Sequence, residues 1–176
     1  NSNFDWALVL TIVSMASMVV GNFSAIWQKD VKRMLAYSSI AHAGFLLIGI
    51  IAQSETGNES MLIYAIIYAA MNYAAFWLVQ LFEGISGTSE MSGWKGYGRQ
   101  YPYLGVLFLI TMVSLTGLPP TAGFNAKLFV FTALWESYIS GGDQPLLWLF
   151  IFGLFNTVVS LFYYLKISYL LFFKES

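Results

Sequence analysis

The sequence contains no cysteine, which excludes disulfides, iron–sulfur clusters and zinc–thiolate sites in this chain. Charged residues are also scarce, at 10% of 176 residues, whereas a soluble domain carries about a quarter. The formal net charge of -1 leaves neither a basic patch for phosphate nor an acidic tail. These deficits exclude a disordered chain, a nucleic-acid binder and an ordinary cytosolic enzyme.

Long apolar runs take up most of the chain, and 58% of its residues are hydrophobic. Because a membrane-spanning helix needs about 20 apolar residues, this length allows roughly five or six spans with short loops. The apolar runs cover residues 6–27, 34–52, 61–82, 103–135 and 146–173. The sequence therefore predicts one all-α transmembrane domain over residues 1–176, a polytopic bundle of about five helices.

The fourth apolar run is too long for one straight span, and Gly117-Leu118-Pro119-Pro120 interrupts it. Pro119 and Pro120 lack backbone N–H donors, and their rings clash with the preceding helical turn. The sequence therefore predicts a helix that is broken at this point. Backbone groups freed at such a break can line a cavity within the membrane.

The basic residues of the loops alternate along the chain. They follow the first, third and fifth runs, as Lys29, Lys32, Arg33, Lys95, Arg99 and Lys174. The other two loops have no lysine or arginine and carry Glu55, Glu59, Glu136 and Asp143. Because basic loops stay cytoplasmic, we expect the N-terminus of this chain outside and its C-terminus in the cytoplasm.

Aromatic residues flank the apolar runs, as interfacial belts do. This group is Trp6, Trp27, Trp94, Tyr97, Tyr101, Trp135, Tyr138 and Trp148. The polar, Gly- and Ser-rich segment 84–100 is expected to be mobile or wrapped on neighbouring helices.

Four polar side chains are predicted to share one depth in the membrane. His42 is nine residues beyond Arg33, and Lys127 is nine residues before Glu136. At the helical rise, each is about 13–14 Å from its own membrane face. The hydrocarbon core is about 30 Å thick, so both lie near its middle. Asn72 and Asn156 fall near the same level, from two further helices.

Lys127 carries the strongest functional signal, because a lysine at the bilayer centre costs about 2.5–3.5 kcal/mol. It follows the predicted break and cannot easily reach an interface. A lysine in such a place can take up and release a proton, which is the reading we favour. The alternative is structural, with Lys127 in an ion pair or capping the broken helix.

His42 shares a helical face with Ser38 and Ser39, and imidazole can relay protons in either direction. The alternative for His42 is a hydrogen bond that holds two helices together. The same role is the better explanation of Asn72 and Asn156, although both could hold water molecules. Lys166 is expected near the inner interface, with its amine extended towards water. One histidine and scattered carboxylates make no metal or haem site, so no metal or cofactor is predicted in this chain.

Three motifs resemble one family. DVKRMLAYSSIAHAGF (residues 30–45) and GLPPTAGFNAKLF (117–129) resemble the antiporter-like membrane subunits of respiratory complex I and their Mrp antiporter relatives. YYLK (163–166) is a weaker match. The YSSIxHxG form looks most like the N-type subunit, the homologue of mitochondrial subunit 2. The matches extend through all of the apolar runs.

The resemblance implies a role for two residues. Lys127 falls on the family's buried lysine in the second broken helix, the exit-side proton carrier, and His42 falls on a relay position. Such subunits pass protons across the membrane, driven by quinone reduction elsewhere in the complex. NADH, FMN, iron–sulfur clusters and quinone are then expected in partner subunits, and other membrane subunits of complex I are the expected partners. The bacterial inner membrane is the expected location.

The resemblance also predicts a longer protein. The family fold has two inverted helical repeats, and this chain looks like the later helices of the second repeat and one more. The family's glutamate and its earlier lysines would precede it. We therefore expect this chain to be the C-terminal portion of a longer antiporter-like subunit.

Two other functions stay open. An Mrp-type Na⁺/H⁺ antiporter subunit would share the fold, and a membrane scaffold without transport would use Lys127 and His42 only to bind helices together. Quinone binding is a weaker possibility, because aromatic residues are abundant but indicate no site.

Overall fold

The computed structural model describes residues 5–141 and 143–173. Lys174, one of the residues behind the predicted orientation, lies outside them. The described chain is helical, with a short 3₁₀ turn at Met91–Trp94. The helices are α1 (Trp6–Ile26), α2 (Val31–Ile51), α3 (Glu55–Ser86), α4 (Tyr97–Gln100), α5 (Pro102–Thr116), α6 (Ala122–Ile139) and α7 (Gln144–Phe173).

The helices begin where short polar side chains can cap them. The Asp5 carboxylate accepts from the Leu8 N–H at 3.0 Å, and the Ser54 hydroxyl accepts from the Gly57 N–H at 3.0 Å. These caps satisfy donors that the first helical turn leaves free. Between the caps the sequence is almost wholly apolar, so side-chain packing and the membrane determine how the helices are arranged.

The bundle matches the predicted spans. By length and composition, α1, α2, α3 and α7 can each cross a membrane. The fourth predicted span is formed by α5 followed by α6. Helix α1 packs along α2 and also contacts α7, while α6 contacts α2, α3 and α7. The predicted all-α membrane bundle with a broken fourth helix is confirmed.

The break lies where the sequence predicted it. Helix α5 ends at Thr116, and Gly117 then takes a left-handed conformation with φ of 85°. Pro119 and Pro120 lie in the connection, and α6 begins at Ala122. A Cβ on Gly123 would lie 1.8 Å from the Ser114 carbonyl oxygen. Only glycine therefore lets the start of α6 approach the end of α5 this closely.

The segment after α3 is wrapped on the bundle, which is one of the two expected outcomes. Trp94 has no exposed surface and packs against Phe82 and Phe108. Its indole N–H donates to the Thr88 carbonyl at 2.8 Å. The assignment of Trp94 to an interfacial belt was therefore wrong, because its polar group finds a protein partner and its ring is part of the core.

Two apolar clusters divide the interior along the helices. One contains the early residues of α2 and the late residues of α7, including Leu35 and Ile167. The other contains the late residues of α2 and the early residues of α7, including Ile48 and Leu149. Along α1, α2 and α7, the buried Asn22, His42 and Asn156 lie between residues of one cluster and residues of the other. The buried Lys127 of α6 lies over Phe45 of the second cluster.

Candidate functional site

Lys127 lies in the first half of α6, ten residues after Gly117, and its side chain returns to the break. The side chain is 5% exposed, and its Nζ donates to the Thr116 carbonyl at 2.7 Å. This carbonyl ends α5 and is one that the broken helix leaves free. The amine also lies over the Phe45 ring, 4.7 Å from its centroid. A carbonyl and a ring face are both attractive to a cation.

No carboxylate pairs with Lys127 among residues 5–141 and 143–173, where Lys32–Glu83 is the only ion pair. Lys127 also borders an apolar groove of about 590 Å³ between α6 and α7. Phe131, Leu154 and Val158 are among the other residues that line this groove. The lysine therefore caps the end of α5, as the structural alternative expected, but it has no carboxylate partner in the described residues.

His42 lies in α2 with 3% of its surface exposed. Its Nδ1 is 2.7 Å from the Tyr64 hydroxyl of α3, and its Nε2 is 3.3 Å from the Tyr164 hydroxyl of α7. The Tyr68 ring stacks on the imidazole, with centroids 4.5 Å apart. Three tyrosines from two helices thus surround the histidine, and both of its nitrogens are hydrogen-bonded.

Asn156 belongs to a second polar group, which joins α1 to α7. The Asn22 amide nitrogen donates to the Asn156 side-chain and backbone oxygens, each at 3.0 Å. The Tyr163 hydroxyl donates to the Asn22 side-chain oxygen at 2.8 Å. The Asn156 amide nitrogen donates to the Phe152 carbonyl at 2.9 Å. We call Asn22, Asn156 and Tyr163 the amide cluster.

The other predicted site residues lie apart from these contacts. The hydroxyls of Ser38 and Ser39 both donate to the Leu35 carbonyl of their own helix, at 2.7 and 3.0 Å. Asn72 is half-buried on α3, and Lys166 is exposed on the surface of the bundle. The structure therefore brings His42 together with tyrosines rather than with its two serine neighbours.

Sequence reasoning missed Tyr64, Tyr164 and Tyr163 as site residues and did not place Asn22 in a cluster. Tyrosines are common at membrane–water interfaces, so the sequence alone did not distinguish these three tyrosines from belt or packing residues. The signal that could have found Tyr64 is its spacing, because it lies nine residues after Glu55, well inside a span. A phenol so far inside an apolar helix needs a hydrogen-bond partner.

In the described part of the chain, no three histidine, aspartate or glutamate side chains cluster as they would around a metal ion. The contacts of Lys127 and His42 instead provide chemistry suited to protons. An amine, an imidazole and phenols can each give or take a proton, and all lie inside an apolar bundle.

Comparison with known proteins shows the family. The family model described as NADH:quinone oxidoreductase/Mrp antiporter, TM, matches residues 1–160. NADH-quinone oxidoreductase subunit N 2 of Chloroherpeton thalassium is 43% identical over 98% of this chain and 33% of its own length. Subunit N of Chlorobium chlorochromatii is 42% identical over 97% of this chain and 32% of its own length. The chain thus spans about a third of the length of these curated relatives.

Solved structures show the same fold. A chain of respiratory complex I from Thermus thermophilus with bound aureothin is 32% identical, with a TM-score of 0.76 over 96% of this chain and 36% of that chain. A chain of the Mrp complex from a Dietzia species has a TM-score of 0.86 at 22% identity, over 97% of this chain and 31% of that chain. The chain therefore belongs to the transmembrane family of NADH:quinone oxidoreductase and Mrp antiporter subunits, and is an integral membrane protein.

Proposed function

We propose that this chain is the C-terminal portion of an N-type, proton-translocating subunit of NADH:quinone oxidoreductase, and that Lys127 and His42 carry protons through it. The observation that carries the proposal is the environment of Lys127. Its amine is buried at a helix break, hydrogen-bonded to the Thr116 carbonyl, with no carboxylate paired to it in the described residues. A permanent carboxylate partner would hold the proton on the amine, and exposure would connect it to bulk water.

Charge elsewhere in the complex would control this site. The charged amine is stabilised by a carbonyl dipole and a ring face, both of which are weaker than a counter-charge. A charge that arrives or leaves nearby would therefore shift the balance between the protonated and neutral amine. His42 would pass the proton towards the middle of the membrane. Ser38, Ser39 and Asn72 would support the path by hydrogen bonds, whereas Asn156 would hold α7 against α1 through the amide cluster.

The cofactors and partners follow from the same proposal. NADH, FMN, iron–sulfur clusters and quinone would be held by other subunits, and this chain would perform no redox chemistry. Other membrane subunits and the lipid bilayer would surround it. We place it in the bacterial inner membrane, with the basic loops and Lys166 towards the cytoplasm.

The test uses the full-length subunit in its parent complex, reconstituted into proteoliposomes. Lys127→Met keeps most of the side-chain volume and removes the amine. We expect assembly on a native gel, with proton uptake and coupled quinone reduction both lowered by about a hundredfold or more. Lys166→Met is the matched control, because it removes an exposed lysine from the same bundle, and we expect wild-type rates.

Two outcomes would contradict the proposal. If Lys127→Met pumps like wild type, Lys127 is structural and the scaffold alternative gains. If the intact complex dissipates a sodium gradient without NADH, the Mrp-type antiporter reading replaces it. The curated relatives at 43% and 42% identity are quinone oxidoreductase subunits, so we favour proton translocation in NADH:quinone oxidoreductase over Na⁺/H⁺ antiport.

A further inference from the structure

Both imidazole nitrogens of His42 are hydrogen-bonded to tyrosine hydroxyls, and this arrangement has a chemical consequence. Tyr64 binds Nδ1 at 2.7 Å, and Tyr164 binds Nε2 at 3.3 Å. The two tyrosines belong to different helices, α3 and α7, on either side of the imidazole ring. We call Tyr64 and Tyr164 the phenol pair.

A phenol hydroxyl can either donate or accept a hydrogen bond. Neutral imidazole has one N–H donor and one acceptor nitrogen, whereas imidazolium has two donors. The phenol pair therefore offers a matching hydrogen bond to each neutral tautomer and to the cation. Carboxylates at both positions would favour the cation alone, and backbone carbonyls would not serve the acceptor nitrogen.

The other neighbours of His42 hold its ring in place, but they do not donate to or accept from its nitrogens. The Tyr68 ring stacks on the imidazole at 4.5 Å between centroids, but its buried hydroxyl has no hydrogen-bond partner in the described residues. Lys127 of α6 lies over the Phe45 ring, whose centroid is 6.3 Å from that of the imidazole. The imidazole is thus held by stacking on one face and by phenols at both nitrogens.

We propose that Tyr64 and Tyr164 are positioning residues that hold His42 in one ring orientation through its whole protonation cycle. This inference rests on the proposed relay role of His42. A relay group that rotated on each proton transfer would have to break and remake its packing in a close-packed interior. With the phenol pair in place, only hydroxyl hydrogens turn. The ring nitrogens stay aimed at their neighbours in every state.

The experiment compares three single hydroxyl deletions in the full-length complex in proteoliposomes. Tyr64→Phe and Tyr164→Phe each remove one hydrogen bond to His42 and retain the aromatic ring. Tyr68→Phe is the matched control, because it removes a hydroxyl with no hydrogen-bond partner among the described residues and keeps the stacked ring. Proton uptake per assembled complex is measured in H₂O and in D₂O, which gives a solvent isotope effect for each variant.

We expect Tyr64→Phe and Tyr164→Phe to lower the rate of proton uptake roughly two- to tenfold, as the loss of one hydrogen bond implies. The isotope effect should rise in both variants, because proton transfer at a loosely held imidazole becomes rate-limiting. Tyr68→Phe should match wild type in rate and isotope effect. A purely structural loss would lower assembly but leave the isotope effect unchanged.

A second set of variants tests whether the pair acts through the histidine. In a His42→Gln background, we expect Tyr64→Phe and Tyr164→Phe to cause no further loss, because their target is gone. Additive losses would overturn the inference, as would phenol-pair variants that behave like Tyr68→Phe. If either variant does not assemble, the other decides by the same criteria.

These outcomes separate the two proposals. If His42→Gln lowers pumping but the phenol-pair variants match wild type, only the present inference fails. If His42→Gln itself pumps normally, the relay role of His42 fails and the positioning role falls with it.

Discussion

Two groups of polar side chains are buried in this bundle, but they differ in chemistry. Lys127 and His42 can change protonation state, and their partners are a carbonyl, a ring face and two phenols. The amide cluster cannot titrate, and its side chains hydrogen-bond directly to one another across α1 and α7. Equal burial therefore does not imply equal roles.

The comparison teaches how to distinguish a proton carrier from a packing contact. Asn22 and Asn156 are fully buried, yet each has fixed partners that suit one arrangement of donors and acceptors. The partners of Lys127 and His42 suit more than one protonation state. Mutations should affect transport in the first group and assembly in the second.

The largest effect is expected from His42→Gln, which keeps a polar side chain but removes the group that titrates. Loss of a proton-transfer group costs about a hundredfold or more in rate. We expect proton uptake to fall by that factor while the native gel shows normal assembly. Normal pumping by the assembled variant would show that His42, like the amide cluster, has no role in proton transport.

The close approach of α5 and α6 beside Lys127 is tested by Gly123→Ala. The added Cβ would lie 1.8 Å from the Ser114 carbonyl oxygen, so α5 and α6 must move apart. We expect the free energy of unfolding to fall by about 3 kcal/mol, the upper range for overpacking. The variant should therefore show a lower thermal midpoint and a lower rate of proton pumping. Gly84→Ala is the control, because its Cβ would meet nothing within 4 Å. A stable Gly123→Ala variant with normal pumping would contradict the requirement for close approach.

The amide cluster is tested by Asn156→Leu, which removes the side-chain oxygen of residue 156 and leaves one of the two hydrogen bonds donated by the buried Asn22 amide nitrogen unmade. An unsatisfied buried polar group costs about 1–3 kcal/mol, which thermal unfolding of the purified complex would report. Pumping per assembled complex should stay at the wild-type level. The double variant Asn22→Leu/Asn156→Leu should lose less than the sum of the single changes, because both partners are replaced. A fall in pumping at normal assembly would move this cluster into the proton path.

The smallest effect is expected outside the membrane, at Asp30. Partial burial raises the pKa of this carboxyl, but hydrogen bonds from Ser89 and the Arg33 amide and the nearby Arg33 charge outweigh it and hold the pKa below its usual value. The carboxylate caps α2, so Asp30→Ala should cost about 1 kcal/mol at neutral pH.

The sign of the pH dependence follows from the lowered pKa. The contribution of Asp30 is fully present above the usual carboxyl pKa of about 4 and is lost as the pH falls through the lower folded value. The difference in thermal midpoint between wild type and Asp30→Ala should therefore shrink in acid. A difference that is constant from pH 7 into this range would show that the charge of Asp30 does not matter.

Much of the fold could be predicted because the membrane restricts the choices. Backbone groups in lipid must be satisfied within a helix, so apolar runs predict helices with little ambiguity. Pro119 and Pro120 predicted the break, because they lack donors and fit no helix interior. Trp94 could not be placed in the same way, since a tryptophan beside a span is common both in belts and in cores.

The site could be predicted only in part. Depth along a helix follows from residue count, so Lys127 and His42 could be assigned to the same level without coordinates. The partners of His42 could not, because Tyr64 is 22 residues away along the chain and Tyr164 is 122 residues away. Ser38 and Ser39 share its helical face, but a serine inside a helix is satisfied by its own backbone.

The sequence by itself determined that this protein lies in a lipid bilayer, where its helices are and where the fourth span breaks. It also determined that one lysine and one histidine lie in apolar surroundings. These features depend on composition and on local backbone chemistry. Only the tertiary structure decided which groups meet: Thr116 with Lys127, the phenol pair with His42, and Asn22 with Asn156. Contacts between distant helices depend on rotation and packing of whole helices, which no local pattern specifies.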